Sequence, residues 1–327
     1  MKIVSGVGQK LFFAVFSLMF FISAATAQGG WNLIRRGGAG DLVSVYFTSS
    51  DRGFVGGDGG YLAMTSDGGR NWTRQNLNTT DTINEIYFRS DDNGYVLAGR
   101  RIYLTKDGGK TWRENVIVNK NDYKNLTPEF LSVRFSDKKR GWIVGSLSNQ
   151  REEVVDSLVL QTTDGGETWS RVIVPTKEEL YHLDFTNNDN GWIVGNRGLI
   201  LNTRDGGQTW QAQSSGTTSS LYNVDFRDSD NGVAVGGDGI ILRTKNGGIN
   251  WSKISSGINK SLLRVNFVSD KNGWIVGGGG TILRTDDKGR TWTRQDSQTQ
   301  DSLYGLFMEK KYGWAVGKKG IILQYQK

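Results

Sequence analysis

Hydrophobic and polar residues alternate in short runs along most of the chain, and the runs recur at a regular spacing. A typical unit, residues 221–251, reads LYNVDFRDSDNGVAVGGDGIILRTKNGGINW. It divides into an alternating L-x-x-V-x-F segment, a segment of the G-W-I-V-G type, an I-L-x-T segment and a segment that begins at a Trp. Turns rich in Asp, Asn and Gly separate these segments, which is typical of β-hairpins. The pattern predicts four short strands in each unit and no sustained helix.

The spacing of the Trp residues sets the number of units. Trp occurs at the same place in each unit, at positions 31, 72, 112, 169, 210, 251 and 292. All but one of the intervals are 40 or 41 residues long. Four strands in a repeat of about this length are the signature of a propeller blade. We therefore predict an all-β fold, a seven-bladed β-propeller with four antiparallel strands per blade.

The two ends of the chain complement each other. The last unit stops after the I-I-L-Q-Y-Q segment and lacks a Trp strand, whereas the segment Gly30-Trp31-Asn32-Leu33 is a fourth strand without a blade. The N-terminal strand is expected to complete the last blade, which closes the ring and removes an open sheet edge. This predicts one propeller domain over residues 28–327.

The third unit is 16 residues longer than the others, with extra length after Trp112 and again within residues 146–157. The second insertion, SLSNQREEVVDS, is polar and joins the second and third strands. Insertions in repeat proteins usually form loops, often on the binding face. Two interpretations remain open, a loop that contacts a partner and a loop without a specific role.

The first 27 residues have the pattern of a signal peptide. Lys2 and Lys10 provide positive charge, residues 11–22 are apolar, and Ala25-Thr26-Ala27 fits the A-x-A cleavage rule. We expect Gln28 to begin the mature protein, with an uncleaved N-terminal anchor as the alternative. Export would place the protein in the periplasm or outside the cell, or in the lumen in a photosynthetic organism. The rest of the chain has no second apolar stretch of this kind.

Composition excludes several classes of site. The chain has no Cys and one His, which rules out disulfides, Cys-ligated zinc and a thiol nucleophile. The formal net charge is +7, and removal of the two lysines in the leader lowers it to +5. No basic tract accompanies this mild charge, so we expect no nucleic-acid partner.

Each internal Trp follows a turn of the Asp-box pattern, as in TRDGGQTW at 203–210. The carboxylate accepts backbone N–H groups within such a turn, Gly supplies positive φ, and Trp packs between blades. We assign a structural role to the six turn residues and the six Trp residues, which are Asp67, Asp107, Asp164, Asp205, Asn246, Asp287, Trp72, Trp112, Trp169, Trp210, Trp251 and Trp292.

A repeated acidic residue does not indicate catalysis, because an active site needs a unique, convergent set of groups. No catalytic, cofactor-binding or metal-ligating residue is assigned, although weak Ca²⁺ binding by the D-x-D-N-G turns is an alternative to a purely structural role. Asp boxes also occur in sialidases and other glycoside hydrolases, so a glycan-acting propeller is the alternative function. The Arg-Ile-Pro segment near the N-terminus of sialidases is missing here.

The combined motifs resemble the photosystem II assembly/stability factor family of seven-bladed propellers with Asp-box repeats. They are L-x-x-V-x-F, D-x-x-x-G-W-x-V-G, G-x-I-L-x-T and D-G-G-x-T-W, seen together at 180–210. The resemblance covers nearly all of the chain after the leader. It implies a non-enzymatic chaperone or scaffold with a protein partner, such as the subunits of a membrane complex. We also expect the protein to be a monomer.

Basic residues on the face opposite the Asp boxes are the candidates for contact with that partner. They are expected in the turns between second and third strands, where they could bind an acidic segment by charge-assisted hydrogen bonds. The alternative is scattered, solvated loop charge. The candidates are Arg100, Arg101, Arg197, Lys318 and Lys319.

Overall fold

The computed structural model describes residues 29–38, 40–117, 123 and 125–327. These residues form seven four-stranded antiparallel sheets. The innermost strand of each sheet contacts the innermost strand of the next, and the seventh contacts the first. The prediction of a seven-bladed β-propeller is therefore confirmed. The predicted signal peptide at 1–27 lies outside the described residues and stays a prediction.

The strands follow the predicted order within each repeat. The first strand of the chain, β1 (Gly30–Arg35), belongs to the seventh blade. Blades 1 and 2 contain β2 (Leu42–Phe47), β3 (Gly53–Gly57), β4 (Tyr61–Thr65) and β5 (Thr73–Gln75), then β6 (Ile83–Phe88), β7 (Gly94–Ala98), β8 (Arg101–Thr105) and β9 (Arg113–Asn115). Blades 3 and 4 contain β10 (Thr127–Phe135), β11 (Gly141–Ser148), β12 (Val154–Thr162) and β13 (Ser170–Arg171), then β14 (Leu180–Phe185), β15 (Gly191–Gly195), β16 (Ile200–Thr203) and β17 (Gln211–Gln213). Blades 5, 6 and 7 contain β18 (Leu221–Phe226), β19 (Gly232–Gly236), β20 (Ile241–Thr244) and β21 (Ser252–Ile254), then β22 (Leu262–Phe267), β23 (Gly273–Gly277), β24 (Thr281–Thr285) and β25 (Thr293–Gln295), and finally β26 (Leu303–Met308), β27 (Tyr312–Gly317) and β28 (Ile322–Gln326).

The ring closes through the N-terminal strand, as predicted. In the seventh sheet β1 pairs antiparallel with β28, with Trp31 opposite Tyr325. Trp31 is buried, and its ring centroid lies 5.5 Å from that of Tyr325. The last blade is thus built from both ends of the propeller sequence, and β1 covers the edge of β28 that would otherwise be unpaired.

Aromatic stacking joins neighbouring blades. In five of the seven blades the Phe that ends the innermost strand lies flat on an aromatic residue in the second strand of the preceding blade. In blade 4, for example, Phe185 stacks on Trp142 at 3.9 Å between centroids, and it meets its own Asp-box residue Trp210 edge-on at 5.9 Å. The other stacked pairs are Phe47 with Trp314, Phe88 with Phe54, Phe135 with Tyr95, and Phe226 with Trp192.

A glycine at the start of each second strand makes room for this ring. A Cβ atom at Gly191 would lie 2.5 Å from the ring of Phe185, and the same ring contact recurs at Gly53, Gly94 and Gly232. The G-W-I-V-G pattern is therefore a packing requirement. The glycine provides a flat surface for the Phe, and the aromatic residue that follows stacks on the next blade.

Turns of different kinds occupy the two faces of the ring. On one face each Asp-box turn contacts the turn between the first and second strands, as in the bond from Gly206 N to Asp189 O (3.0 Å). On the other face the turn between the second and third strands contacts the blade-to-blade loop, as in the bond from Gly237 N to Ser220 O (2.9 Å). The Asp boxes and the candidate basic residues therefore lie on opposite faces, as predicted.

Most of the insertion at 146–157 forms strand, and residues 149–153 form the turn between the two strands. It lengthens β11 and β12 into a hairpin in which Ser146 pairs with Ser157 and Leu147 with Asp156. The inner strand β10 is lengthened beside it, with Pro128 opposite Leu147. The expectation of a loop holds for residues 149–153 and is wrong for the other residues, because these extend an existing hairpin ladder, which pairs their backbone groups. Blade 3 consequently projects beyond the others on the face opposite the Asp boxes.

Replacement of Gly191 by Ala tests the packing requirement. We expect a loss of about 1–3 kcal/mol in the free energy of unfolding, because the added methyl group overlaps the Phe185 ring in a tightly packed interface. The measurement is urea-induced unfolding followed by tryptophan fluorescence. Gly30→Ala is the matched control, since a Cβ atom there meets nothing within 4 Å. Equal stability of both variants would contradict this account.

Candidate functional site

The innermost strands line a central channel with alternate side chains. In each six-residue strand the third and fifth residues face the axis, as Ser44 and Tyr46 do in β2. The resulting cavity has a volume of 470 Å³. The residues at these two positions differ from blade to blade. The channel is therefore lined by a set of side chains that does not repeat around the ring.

Several of these side chains bind the neighbouring blade. The innermost strand has no partner strand on its channel side, so its backbone N–H groups need other acceptors. Side chains of the preceding blade supply them at both positions. The bonds run from Ile86 N to Ser44 (2.9 Å), Val133 N to Glu85 (2.7 Å), Val265 N to Asn223 (3.0 Å), Phe226 N to Asp184 (2.7 Å), Phe267 N to Asp225 (2.9 Å) and Met308 N to Asn266 (2.9 Å).

Three charged or ionisable residues form a chain across blades 2 to 4. Glu85 accepts a bond from Arg134 at 2.7 Å, and the other guanidinium nitrogen of Arg134 lies 2.7 Å from Nε2 of His182. Burial lowers the pKa of His182 well below its usual value, and the positive charges of Arg134 and Arg264 lower it further. His182 is therefore a neutral imidazole that accepts a hydrogen bond from Arg134.

Two carboxyl groups, Asp184 and Asp225, lie in the same channel. Burial raises the pKa of both, and the neighbouring Asp184 raises that of Asp225 further, to about 7. A raised pKa is what a general acid needs. However, each of these groups accepts a backbone N–H from the next blade, and Asn266 makes the same bond in the following blade. In blades 4 to 6 this position therefore supplies a hydrogen-bond acceptor to the next blade, and Asn266 shows that the acceptor need not be ionisable.

A second cavity, which we call the funnel, opens on the face opposite the Asp boxes. Its volume is 350 Å³. The second residue of the innermost strands supplies most of its wall, and Arg264 lines both the funnel and the channel. The funnel residues are Asp41, Val43, Asp58, Asn84, Leu131, Tyr181, Tyr222, Leu263, Arg264 and Tyr304. Sequence reasoning missed the funnel. Its only signal in the sequence was the residue directly after the L of the L-x-x-V-x-F motif, which is often aromatic or aliphatic.

The Asp boxes make the local hydrogen bonds that were expected. In blade 3, Asp164 accepts the hydroxyl of Thr162 (2.8 Å) and the backbone N–H and hydroxyl of Thr168 (3.0 and 2.5 Å). These bonds lower the pKa of Asp164 to about 2. Asn246 accepts the equivalent bonds from Thr244 and Asn250 without a charge. The bonds that the Asp164 carboxylate and the Asn246 amide oxygen accept stay within their own turns, which supports a structural role.

The Asp-box Trp residues join their turns to the blades. Trp169 donates to the carbonyl of Gly166 in its own turn at 3.0 Å. Trp112 and Trp251 donate instead to Gln75 and Gln213 of the preceding blade. Four of the six indole N–H groups thus hold their turn or the preceding blade, while Trp210 and Trp292 contact Phe185 and Phe267 edge-on.

The candidate basic residues are not brought together. Arg100 and Arg101 lie in blade 2, Arg197 in blade 4, and Lys318 and Lys319 in blade 7. Arg101 pairs with Asp81 and with Glu114 (3.4 Å), while Arg197 and Lys319 lie 3.9 and 4.0 Å from Glu178 and Asp301. Arg100 and Lys318 are exposed. The assignment of these residues to a partner site stays a prediction.

Comparison with known proteins identifies the family. The sequence model described as photosynthesis system II assembly factor YCF48 matches residues 70–177, 172–260 and 255–326. The chain belongs to this family. Its blades carry the motifs on which the resemblance was based, so that part of the sequence analysis is confirmed.

Curated relatives match over part of their length. The chloroplastic photosystem II stability/assembly factor HCF136 of Oryza sativa subsp. japonica is 29% identical over 35% of this chain and 26% of the relative. The photosystem II assembly lipoprotein Ycf48 of Synechococcus sp. is 26% identical over 52% of this chain and 47% of the relative. The chain thus matches about a quarter to a half of the length of these relatives.

Solved structures support the fold. A structure described as YCF48 bound to D1 peptide is 19% identical, has a TM-score of 0.73, and aligns over 91% of this chain and 97% of its own. YCF48 from Cyanidioschyzon merolae aligns over 91% and 98%, with 19% identity and a TM-score of 0.70. Virginiamycin B lyase from Staphylococcus aureus aligns over 92% and 100%, with a TM-score of 0.74 at 12% identity. At these identities the likeness concerns the fold alone.

Two further searches of the described residues bear on function. Within residues 29–38, 40–117, 123 and 125–327, three or more His, Asp or Glu side chains nowhere come together in a group that could hold a metal ion. Over the same part of the chain, no helix has the length and apolar character of a membrane span.

The Asp-box carboxylates predict an acid-sensitive stability. Because their folded-state pKa is lowered, to about 2 for Asp164, their contribution is present above the unfolded pKa near 4 and is lost as the pH falls towards 2. Asp164→Ala should lower the free energy of unfolding by about 1 kcal/mol at pH 7, because the turn loses its acceptor. Denaturant titrations between pH 2 and 7 measure this.

Asp164→Asn serves as the control for that substitution, since it reproduces the natural turn at Asn246. It should stay closer to the wild-type protein at pH 7 than the Ala variant, and its difference from wild type should vanish near pH 2. A difference that persists unchanged at pH 2 would show that the charge is irrelevant.

Asp225 predicts the opposite pH dependence. Its folded-state pKa is raised to about 7, so its contribution to stability is greatest below the unfolded pKa near 4 and is lost as the pH rises towards 7. Asp225→Asn keeps an acceptor for Phe267 N and cannot ionise. The stability of this variant relative to wild type should therefore increase between pH 4 and pH 8 in urea titrations. A constant difference over this range would contradict the raised pKa.

Proposed function

We propose that this protein is an exported, non-enzymatic propeller that binds a protein segment during assembly of a membrane complex. The observation that carries the proposal is the family match, which extends over residues 70–326. The names of the curated relatives describe assembly or stability factors of photosystem II, and one similar structure is described as bound to a D1 peptide. A membrane-complex subunit is accordingly the class of partner that we expect.

The channel chemistry supports a binding role over a catalytic one. Asp184 and Asp225 would be the acid and base of a glycan-cleaving site, which is the alternative function. Both are engaged with the backbone of the next blade, and an Asn replaces them in the following blade. Glu85 is engaged with Val133 N and Arg134. Side chains held in this way maintain the ring and are poorly placed to exchange protons with a substrate.

The funnel is the surface that best fits a protein segment. It is open to solvent on the face opposite the Asp boxes, and its wall is mainly aromatic and aliphatic with a few polar groups, which is typical of binding pockets. The Asp-box face, in contrast, consists of turns whose polar groups bind each other. Arg197 and Lys319 do not line the funnel. They lie in second-to-third-strand turns of different blades, so any contact they make with a partner would be outside the funnel.

Export is part of the proposal. The A-x-A motif at 25–27 and the apolar residues 11–22 favour a cleaved leader. Among the curated relatives, one is named as a lipoprotein and one as chloroplastic, which agrees with export. N-terminal sequencing of the protein from its native host is the direct test, with Gln28 as the expected first residue.

Affinity capture tests the function. Tagged mature protein, residues 28–327, is incubated with detergent-solubilised membranes of its native host, and bound proteins are identified by mass spectrometry. We expect reproducible enrichment of the subunits or assembly intermediates of one membrane complex. The control is a tagged, unrelated seven-bladed propeller of similar charge, which should not enrich them.

Activity assays decide between the proposal and its alternative. Hydrolysis of a panel of aryl glycosides by wild-type protein, abolished in Asp184→Asn and Asp225→Asn, would contradict the non-enzymatic assignment. We expect no hydrolysis by any of the three proteins.

A further inference from the structure

We propose that the gap between blades 5 and 6 on the Asp-box face binds a divalent tetrahedral oxyanion, phosphate or sulfate, through Arg243 and Arg290, with Arg227 behind them. Arg227 follows β18 and Arg243 lies in β20, both in blade 5, whereas Arg290 belongs to the Asp-box turn of blade 6. Three departures from the repeat meet in this gap. The inference is independent of the proposed function, since it concerns neither the funnel nor a protein partner.

The first departure is Val233, which follows the glycine at the start of β19. The missing ring leaves Phe267 of blade 6 without a stacked aromatic neighbour, and the guanidinium of Arg227 lies over it instead, with Cζ 4.5 Å from the ring centroid. Nη1 and Nη2 of Arg227 are shielded from solvent and have no hydrogen-bond partner among the described residues. The other six blades carry an aromatic residue in place of Val233, namely Phe54, Tyr95, Trp142, Trp192, Trp274 and Trp314.

The second departure is Arg243, which lies directly opposite Val233 in the ladder of blade 5. Its Nε donates to the carbonyl of Lys288 in the turn of blade 6, at 2.8 Å. Gln161 and Gln324 make the same inter-blade bond from the equivalent position, at 3.1 and 3.2 Å, so the bond itself does not require an arginine. Nη1 and Nη2 of Arg243 make no hydrogen bond within the described part of the chain, although the residue is only 7% exposed.

The third departure is Lys288, which has a left-handed conformation with φ of 70° in the Asp-box turn of blade 6. Because a Cβ atom makes this conformation unfavourable, a residue other than glycine is strained there, and such strain is concentrated at functional sites. Arg290 is exposed two residues further along and adds a second cation to the same turn. The other five Asp-box turns have glycine in place of Lys288, namely Gly68, Gly108, Gly165, Gly206 and Gly247.

The cations in the gap are not neutralised by ion pairs. Among the described residues, no carboxylate lies within ion-pairing distance of Arg227, Arg243, Lys288 or Arg290. Burial lowers the pKa of Arg243, and the positive charges of Arg227 and Arg290 lower it further, whereas Asp287 opposes the change. Arginines that disfavour one another's charge gain most from an anion placed between them.

Carboxylates near the gap compensate the arginines only in part. Burial lowers the pKa of Arg227 in spite of three carboxylates that raise it, those of Asp225, Asp228 and Asp270. Asp225 accepts the backbone N–H of Phe267 at 2.9 Å, and Asp228 accepts two backbone N–H groups of its own turn, both at 2.8 Å. These bonds hold the two carboxylates away from the guanidinium of Arg227, so an external anion has no close competitor there.

A compact, divalent oxyanion matches the donors of the gap. A planar guanidinium binds two oxygens of one anion through parallel bonds, and two guanidinium groups can share the oxygens of one tetrahedral ion. The donors lie between turns of adjacent blades and Arg243 is nearly buried, so the ligand must be small. Chloride is also small, but it offers one acceptor atom and one charge.

Thermal unfolding in the presence of anions tests the site. Sodium sulfate and sodium phosphate are each raised from zero to about 20 mM, while sodium chloride keeps the ionic strength constant. We expect a saturable rise in the Tm of the wild-type protein of about 2–3 °C, with an apparent Kd of about 1 mM or lower. The absence of a rise would overturn the proposal, as would a rise that grows linearly with sulfate in the manner of a general salt effect.

Arg243→Gln separates the anion site from the inter-blade bond, because Gln161 and Gln324 make that bond in other blades. The variant should remain folded and bind sulfate about tenfold more weakly or worse, since it loses a charged donor pair. Lys288→Gly restores the residue of the other turns, so it should raise the Tm without anion and weaken the response to sulfate. An equal response of the wild type and Arg243→Gln would overturn the proposal.

Arg89→Gln is the matched control in blade 2. Arg89 also lies over the last Phe of the next blade, with Cζ 5.5 Å from the ring of Phe135. Its gap contains the aromatic residue Tyr95, and Leu104 stands in place of a second arginine. Arg89→Gln should therefore keep the full response to sulfate, and a loss as large as that of Arg243→Gln would show that the effect is not specific to the gap between blades 5 and 6.

Vesicles distinguish a free ion from a lipid headgroup. Wild-type protein and Arg243→Gln are sedimented with vesicles of phosphatidylcholine, with and without phosphatidylglycerol. We expect the two proteins to sediment equally. Preferential sedimentation of the wild type with phosphatidylglycerol would overturn the assignment to a free ion in favour of a phosphate-bearing headgroup.

Discussion

The ring depends on one contact that is repeated between its blades, an aromatic ring placed between a glycine and the aromatic residue of the preceding blade. Phe185 shows it fully, with Gly191 beneath the ring, Trp142 stacked on it and Trp210 at its edge. These rings lie between two neighbouring sheets and so fill the space between their blades. Where Met308 replaces the Phe, it still packs with Trp274 of the preceding blade in one buried cluster.

A second constraint arises from closing the sheets around an axis. Every innermost strand presents an unpaired edge to the channel, and in water or in a ligand site such an edge is a liability. Here side chains of the preceding blade bind that edge, which explains why acceptors such as Asp184, Asp225 and Asn266 occur in equivalent places. The carboxylates in the channel are thus explained by the need for acceptors of backbone N–H groups. Its carboxylates resemble a catalytic pair in composition while they serve as inter-blade acceptors.

These two constraints apply least to the side chains that line the funnel, so their identity can vary most. The Asp-box face is occupied by turns that satisfy their own hydrogen bonds, and the third and fifth positions of the inner strands are largely committed to the ring. The second position, at the bulge of each inner strand, lines the funnel, and at Asn84 it also donates to the carbonyl of Phe130 in the next blade. Its residues, such as Tyr181, Tyr222 and Tyr304, can therefore be chosen for a ligand, and the extended hairpin of blade 3 projects on the same face.

The sequence by itself determined the strand count, the number of blades, the closure through Trp31 and the positions of the turns between third and fourth strands. All of these follow from short-range patterns that repeat with a fixed period, so each unit supports the reading of the others. Only the tertiary structure decided which residues meet across the axis. Residues such as Glu85, Arg134 and Arg264 are separated by 49 and 130 positions, and no local pattern links them. It also decided that the insertion at 146–157 lengthens two strands, because a hairpin ladder can accept paired residues as readily as a loop accepts unpaired ones. Finally, the tertiary structure placed the basic residues Arg101, Arg197 and Lys319 in three different blades. The position of a residue in the repeat fixes the face on which it lies, but it does not bring residues of different blades together.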